Sequence, residues 1–268
     1  MRPRPRPHAI ATLAATVRRE LAAQRLNRCL HAHLALAGLA GLLPLFTPGD
    51  AAGAAPLWSL QATLYGLSLS ALVLGLSAAH GESEERELLF AQPVSRGAWL
   101  GGKAAALVAL VAPAALLLVV PAAFAGGVSR PLAATAAAAA GLSVTLSVVG
   151  LALGLWVRDH VRGLLLTLGV WLALVFGTDL LLLGIAGSPW VEGHPSAWVA
   201  VLMANPIDAF RVTVLFVIED AAWVPDEPGR LASWWLSHAV AWLVAIFAAW
   251  TIAGFAAALA GTRRRIDA

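Results

Sequence analysis

Apolar residues run through this chain in six long blocks, at roughly 29–47, 57–79, 104–124, 132–157, 164–187 and 234–260, separated by charged or Gly/Pro-rich breaks. A helix needs about 20 such residues to cross a hydrocarbon core about 30 Å thick. Only helices and closed barrels satisfy their own backbone groups in lipid, so the pattern predicts an all-α polytopic membrane protein with six transmembrane helices. Pro48-Gly49-Asp50, Gly126 to Pro131, and Arg158-Asp159-His160-Val161-Arg162 read as the turns between spans. Pro113 and Pro121 predict a kink in the third span, because proline interrupts the helical hydrogen-bond ladder. The fourth span is rich in Ala, Gly, Ser and Thr, which lets helices approach closely.

Three segments stand outside this rhythm. In residues 1–28, the MRPRPRP start reads as an extended solvated tail, since proline blocks helix and arginine resists burial. Ile10, Leu13, Val17 and Leu21 then recur at helical spacing with Arg18 and Arg19 off the stripe. That fits an amphipathic helix lying in the interface, and it also fits a plain basic anchor. A signal peptide would place an apolar core directly after the tail. Residues 188–233 are mixed in character, and Trp190, Trp198 and Trp223, with Trp234 and Trp235 just beyond, predict short helices at the opposite membrane interface.

The third is the loop 81–103, GESEERELLFAQPVSRGAWLGGK. Ser83 can cap a helix whose first turn carries Glu84 and Glu85, where the helix dipole favours negative charge. Leu88, Leu89 and Phe90 follow, and Pro93 ends the helix. Arg96 and Lys103 mark the return to the bilayer. On the residues alone this is either a plain loop or a coupling helix through which a soluble motor pushes the spans.

Composition fits the membrane reading: 60% of the 268 residues are hydrophobic and 12% charged, with a mean hydropathy of +0.79. Arginines at 2, 4, 6, 18, 19, 25, 28, 86, 96, 158, 162 and 263–265, with Lys103, fall on one face of a six-span arrangement; only Arg130, Arg211 and Arg230 fall on the other. The positive-inside rule then makes both termini, the 81–103 loop, the 158–162 turn and the 261–268 tail cytoplasmic. The basic residues flank spans and do not line a groove, so no nucleic acid is implied as a partner; membrane lipid is. A lone Cys29 excludes an internal disulfide framework and any Cys-x-x-Cys motif, and with two Met leaves no soft-metal relay.

Candidate chemistry is sparse. Gly97 to Lys103 formally fits the start of a phosphate-binding loop, but Ala104 stands where Ser or Thr must hold magnesium and a span follows in place of a soluble helix. No ATP site, catalytic residue, cofactor or metal ligand is therefore expected in this chain. Asp179 is the one acid well inside a span; such acids are functional candidates by default, while a local helix-capping or Thr178-bonding role explains it as well. Asn205-Pro206-Ile207-Asp208-Ala209-Phe210-Arg211 reads as a helix start with Asp208 placed to cap or to pair with Arg211, either as a structural turn or as a transport gate. His31, His33 and His238 offer no paired set at one depth, and Ser68 and Ser143 have no evident general base, so a haem protein or an intramembrane enzyme is disfavoured.

Several of these segments together resemble the ABC-2 type transporter permeases. The likeness lies in the acidic patch Glu84, Glu85, Glu87, the pair Leu88-Leu89, the turn Pro93 to Arg96, Gly102-Lys103, and the basic-Glu-Leu element Arg19-Glu20-Leu21. Gly169-Val170-Trp171 with Phe176 and Asp179, and Asn205-Pro206-x-Asp208-x-x-Arg211, are similar to the subfamily serving nitrous-oxide reductase maturation. One departure is Glu85-Arg86, where many relatives carry Gly-Thr. The resemblance implies an ABC-2 (type V exporter-like) permease fold in a bacterial inner membrane. It implies a homodimer bound to two copies of a cytoplasmic ATPase that carries ATP and magnesium, with a periplasmic partner protein. With it, Glu84, Glu85, Glu87, Leu88, Leu89 and Arg96 are the candidates for ATPase coupling, while Asp179, Asn205, Asp208 and Arg211 remain, on the residues themselves, the candidates for transport or gating. An ABC-2 exporter of a lipid, drug or ion is the alternative it leaves.

Overall fold

The computed structural model describes residues 9–46, 51–81, 95–125, 127–185, 188–189, 195–218 and 230–264. Among them every regular element is a helix. In chain order they are α1 (Ala9–Gln24), α2 (Arg28–Leu42) with a 3-10 turn Leu43–Phe46, α3 (Ala51–Ala62), a π-helical turn Thr63–Leu67, and α4 (Ser68–His80). Next are α5 (Arg96–Val111), α6 (Ala114–Ala125), α7 (Arg130–Trp156), α8 (His160–Leu172), a second π turn Ala173–Gly177 and α9 (Thr178–Ile185). α10 (Pro195–Ala204), α11 (Pro206–Ile218) and α12 (Arg230–Arg264) complete the chain. Six stretches are long and apolar enough to cross a membrane: Arg28–Phe46, Ala55–His80, Arg96–Pro121, Arg130–Trp156, His160–Ile185 and Ser237–Arg263.

The bundle is built around α7. Its apolar window is 67% buried, against 6% for the fifth span, so α7 is the axis and the fifth span lies at the edge. Small residues make the central contact. A Cβ on Gly150 would stand 2.0 Å from the carbonyl oxygen of Leu72, and one on Gly75 would stand 1.9 Å from that of Ser147. With Gly154 facing Ala79, α4 and α7 meet backbone to backbone, the contact that a Gly-x-x-x-Gly spacing permits between helices in lipid. Pro113 lies between α5 and α6, where the third span breaks. Pro121 lies inside α6.

Side-chain caps close the ends. Ser129, Asp159 and Asn27 each accept a hydrogen bond from a backbone N–H in the first turn of α7, α8 and α2. At the arginine-rich end His80 Nε2 bonds Val157 O at 2.8 Å and Trp156 Nε1 donates to Ala257 O at 2.7 Å. Those bonds tie the second, fourth and sixth spans together there.

Two elements make contacts that the sequence pattern did not announce. α1 does not lie on lipid alone. It packs across the start of α5, where a Cβ on Gly102 would come within 2.6 Å of Thr16 Cβ and 2.9 Å of Leu13 O. The glycine pair Gly101-Gly102 is a seat for this helix, and only chain without a Cβ fits against α1 so closely.

The second is the α10–α11 hairpin. The tryptophans of 188–233 suggest an interfacial section, but Asn205, Ile207, Asp208, Ala209, Phe210 and Val214 are buried inside the bundle. Trp242 Nε1 donates to Met203 O at 3.1 Å and Trp250 Nε1 to Ala204 O at 2.9 Å, pinning the hairpin apex against α12. Trp250 is 14 residues short of Arg264, and Leu174, which bonds Asn205, is 14 beyond His160. At about 1.5 Å per residue both place the apex about 21 Å from the arginine-rich end, near mid-depth. The hairpin apex therefore lies level with the middle of the fifth and sixth spans. Non-helical backbone is tolerated at such depth only when protein satisfies it, and Asn205 is the residue that does so.

Candidate functional site

The site is centred on the broken fifth span. A π turn holds one residue too many for the α-helical ladder and leaves a carbonyl without its usual partner; such turns cluster at functional positions. Here the turn is Ala173–Gly177, and the carbonyl of Leu174 accepts from Asn205 Nδ2 at 2.6 Å. Asn205 also bonds Thr178 Oγ1 at 3.0 Å and Asp208 Oδ2 at 2.7 Å, while its own Oδ1 accepts from the Ile207 N–H at 3.0 Å. One amide thus caps α11, repairs the fifth span and holds the buried acid. Pro206 follows in the first helical position, where its missing N–H costs nothing.

Asp208 is wholly buried and receives three donors: the Thr178 hydroxyl and Asn205 Nδ2 on Oδ2, and the Arg211 guanidinium beside Oδ1. The Arg211 Nη2 to Asp208 Oδ1 distance is 2.9 Å, an ion pair without the alignment of a hydrogen bond. Arg211 gives its aligned bonds to the other acid. Nη1 meets Asp179 Oδ2 and Nη2 meets Asp179 Oδ1, both at 2.9 Å, a bidentate fork. Asp179 is 44% exposed and Arg211 29% exposed, so the fork stands at the protein surface with Asp208 behind it. Asp179 is 19 residues beyond His160, about 28 Å from the arginine-rich end.

Asp179, Asn205, Asp208 and Arg211, separated by up to 32 positions, are therefore one connected cluster. Thr178, which the sequence offered as a partner for Asp179, gives its hydroxyl to Asp208 instead, and the Leu174 carbonyl, which no residue type signalled, completes the cluster. Beside it Tyr65, from the π turn of the second span, stacks on Phe176 with centroids 6.5 Å apart, and Trp171 Nε1 donates to Ser68 Oγ at 2.9 Å. The two π turns of the second and fifth spans therefore face each other, with the charged cluster at their side.

A second polar centre lies at the arginine-rich end. Lys103, fully buried in α5, places Nζ 2.7 Å from Glu20 Oε2 of α1 and 2.9 Å from Ala78 O of α4, and 5.7 Å from the Trp99 ring centroid. Glu20 Oε1 accepts from Gln24 Nε2 at 2.8 Å; Gln24 Oε1 accepts from Asn27, which reaches Ser77 Oγ at 3.2 Å. The chain of bonds joins α1, α2, α4 and α5. It also occupies the lysine of the apparent phosphate loop, which no phosphate can reach without breaking the pair.

Among the ATPase-coupling candidates, Arg96 opens α5 just after the cap Ser95 and is half-buried. Glu84, Glu85, Glu87, Leu88 and Leu89 lie outside the described residues, as do Pro48-Gly49-Asp50 and the proline-arginine start. His33 is buried with Nδ1 2.8 Å from Ser70 Oγ, and His31 is exposed. No group of three or more metal-binding side chains occurs among the described residues. No protein-family model and no curated protein matches the chain.

Proposed function

We propose that this chain is the membrane subunit of an ABC-2 type transporter, of the kind called NosY, that serves nitrous-oxide reductase maturation. In this reading a separate cytoplasmic ATPase docks on the 81–103 loop of each of two copies, and a periplasmic partner meets the 188–233 section. The work done is export of a sulfur species, or mechanical work on the partner, for assembly of the copper-sulfide centre. The arginine-rich end is cytoplasmic.

The observation that carries the proposal is the buried Glu20–Lys103 pair. Two motif elements that resemble the family, Arg19-Glu20-Leu21 and Gly102-Lys103, are 83 positions apart in sequence and meet at 2.7 Å. They do so directly beside the return of the 81–103 loop into the bundle, so a push on that loop reaches α1, α4 and α5 together.

The test is purification of the tagged chain with its ATPase, wild type against Glu87→Lys with Leu88→Ala. A charged and apolar patch supplies steering and burial, so the double change should release the ATPase and abolish stimulated hydrolysis. An intact complex with an unchanged ATPase rate would refute the coupling role. Deletion of the chain, followed by the visible spectrum and sulfide content of nitrous-oxide reductase, separates the two transporter readings. Loss of the copper-sulfide centre alone favours maturation, and a normal enzyme favours an ABC-2 exporter of another cargo.

A further inference from the structure

We propose that the Arg211 guanidinium is an oxyanion-binding seat and that Asp179 is its built-in, displaceable occupant. This goes beyond the permease reading and does not depend on it.

The cluster holds one cation and two acids. Asp208 is 0% exposed and held by Thr178, Asn205 and Arg211, so it stays in place behind the guanidinium. Asp179 is on the outward side. It is 44% exposed, and both hydrogen bonds it makes to described residues are the two arms of the Arg211 fork. The buried acid is fixed by its neighbours, and the exposed one takes the outward face of the cation.

The geometry of that face defines the ligand. Two parallel N–H groups at 2.9 Å from two oxygens of one carboxylate present the edge that sulfate, thiosulfate, phosphate or another carboxylate also offers. An arriving oxyanion takes both N–H groups while Asp179, six residues short of the end of the fifth span, turns toward that end. Exposed side chains flank Asp179 along the fifth span: Phe176, with the Tyr65 ring stacked on it, toward the arginine-rich end, and Leu180 and Leu183 toward the far end. An oxyanion borne by a lipid headgroup, its chains lying on that flank, uses the same two N–H groups as a free ion.

Because Asp179 is tethered, it competes at an effective concentration on the order of millimolar or higher, and wild type should fill only at anion levels above that. Removing the tethered competitor should lower the sulfate half-saturation at least about tenfold.

The experiment uses the full chain in phosphatidylcholine nanodiscs, with thermal unfolding followed in sodium sulfate against sodium chloride at matched ionic strength. Asp179→Asn should be stabilised by sulfate at concentrations at least about tenfold lower than wild type requires. A repeat with part of the phosphatidylcholine replaced by phosphatidylglycerol distinguishes the sources. If the lipid raises the variant's midpoint and abolishes the sulfate response, the natural oxyanion is a headgroup; if the sulfate response persists, it is a free ion. A folded Asp179→Asn that responds to neither more than wild type does overturns the proposal. If that variant does not fold, hydrogen exchange in wild type decides: rising sulfate should speed exchange across 173–185, and unchanged exchange overturns the proposal equally.

Discussion

The Glu20–Lys103 pair permits a quantitative test. At 2.7 Å and an effective dielectric constant of about 20, the attraction is about 6 kcal/mol. Desolvation removes most of it, because each ion costs several kcal/mol to take from water. The pair as a whole should therefore contribute little, while either ion alone should be expensive. Lys103→Met leaves the Glu20 carboxylate buried with only Gln24 as donor, and should cost about 3–5 kcal/mol. Glu20→Gln leaves Lys103 with Ala78 O and the Trp99 ring, and should cost about 2–5 kcal/mol. The double variant keeps an amide acceptor for Gln24 and removes both charges, and should return to within about 1–2 kcal/mol of wild type. The assay is equilibrium unfolding in mixed micelles, read by circular dichroism and analysed as a double-mutant cycle. Additive losses, or a Lys103→Met cost below about 1 kcal/mol, would show that the two charges are not paired in a dry site.

Three further outcomes are expected. Asn205→Leu takes the side-chain donor from Leu174 O and one of the donors from Asp208, which keeps Thr178 and Arg211, and should destabilise by about 1–3 kcal/mol; Thr178→Ser, which keeps the hydroxyl, should be far milder in the same assay. Gly150→Leu must displace the Leu72 backbone and should prevent accumulation of folded protein, whereas Gly169→Ala has nothing within 4 Å and should hold or gain up to about 1 kcal/mol, as judged by size-exclusion profile and melting. In a Cys29→Ser background, a cysteine at exposed Asp159 should react with an impermeant maleimide only after cells are permeabilised, and one at Val128 should react in intact cells; the reverse pattern would invert the orientation argued from the arginines.

The helical, six-span character of the chain was legible because lipid imposes length and apolarity on every crossing, and those are properties of a run of residues. The position of α11 was not. Its segment carries Asn205, Asp208 and Arg211, which count against burial when each residue is weighed by itself. The cost is removed only by partners on another span, and nothing in the local pattern announces that Leu174 will offer a spare carbonyl or Thr178 a hydroxyl. The π turn that creates the offer has no sequence signature of its own. The seat of α1 was not legible for the related reason that an apolar stripe does not say what it faces. Leu13, Val17 and Leu21 suit a lipid surface, but Glu20, three residues from Val17 and off the expected polar side, is buried because Lys103 waits for it.

The two polar centres also differ in a way that bears on function. At the arginine-rich end the pair is 0% and 2% exposed and belongs to a chain of bonds that joins four helices. At the far half the fork is partly open and joins the least buried span to the α10–α11 hairpin. A device that converts a push at one end into an event at the other needs a rigid connection where force enters and an exchangeable contact where it is used. Those are the properties of Glu20–Lys103 and of Asp179–Arg211 respectively. The ordering makes a separable claim: changes at Lys103 should act on stability and coupling together, whereas Asp179→Asn should leave ATPase association intact and alter only what the far half binds.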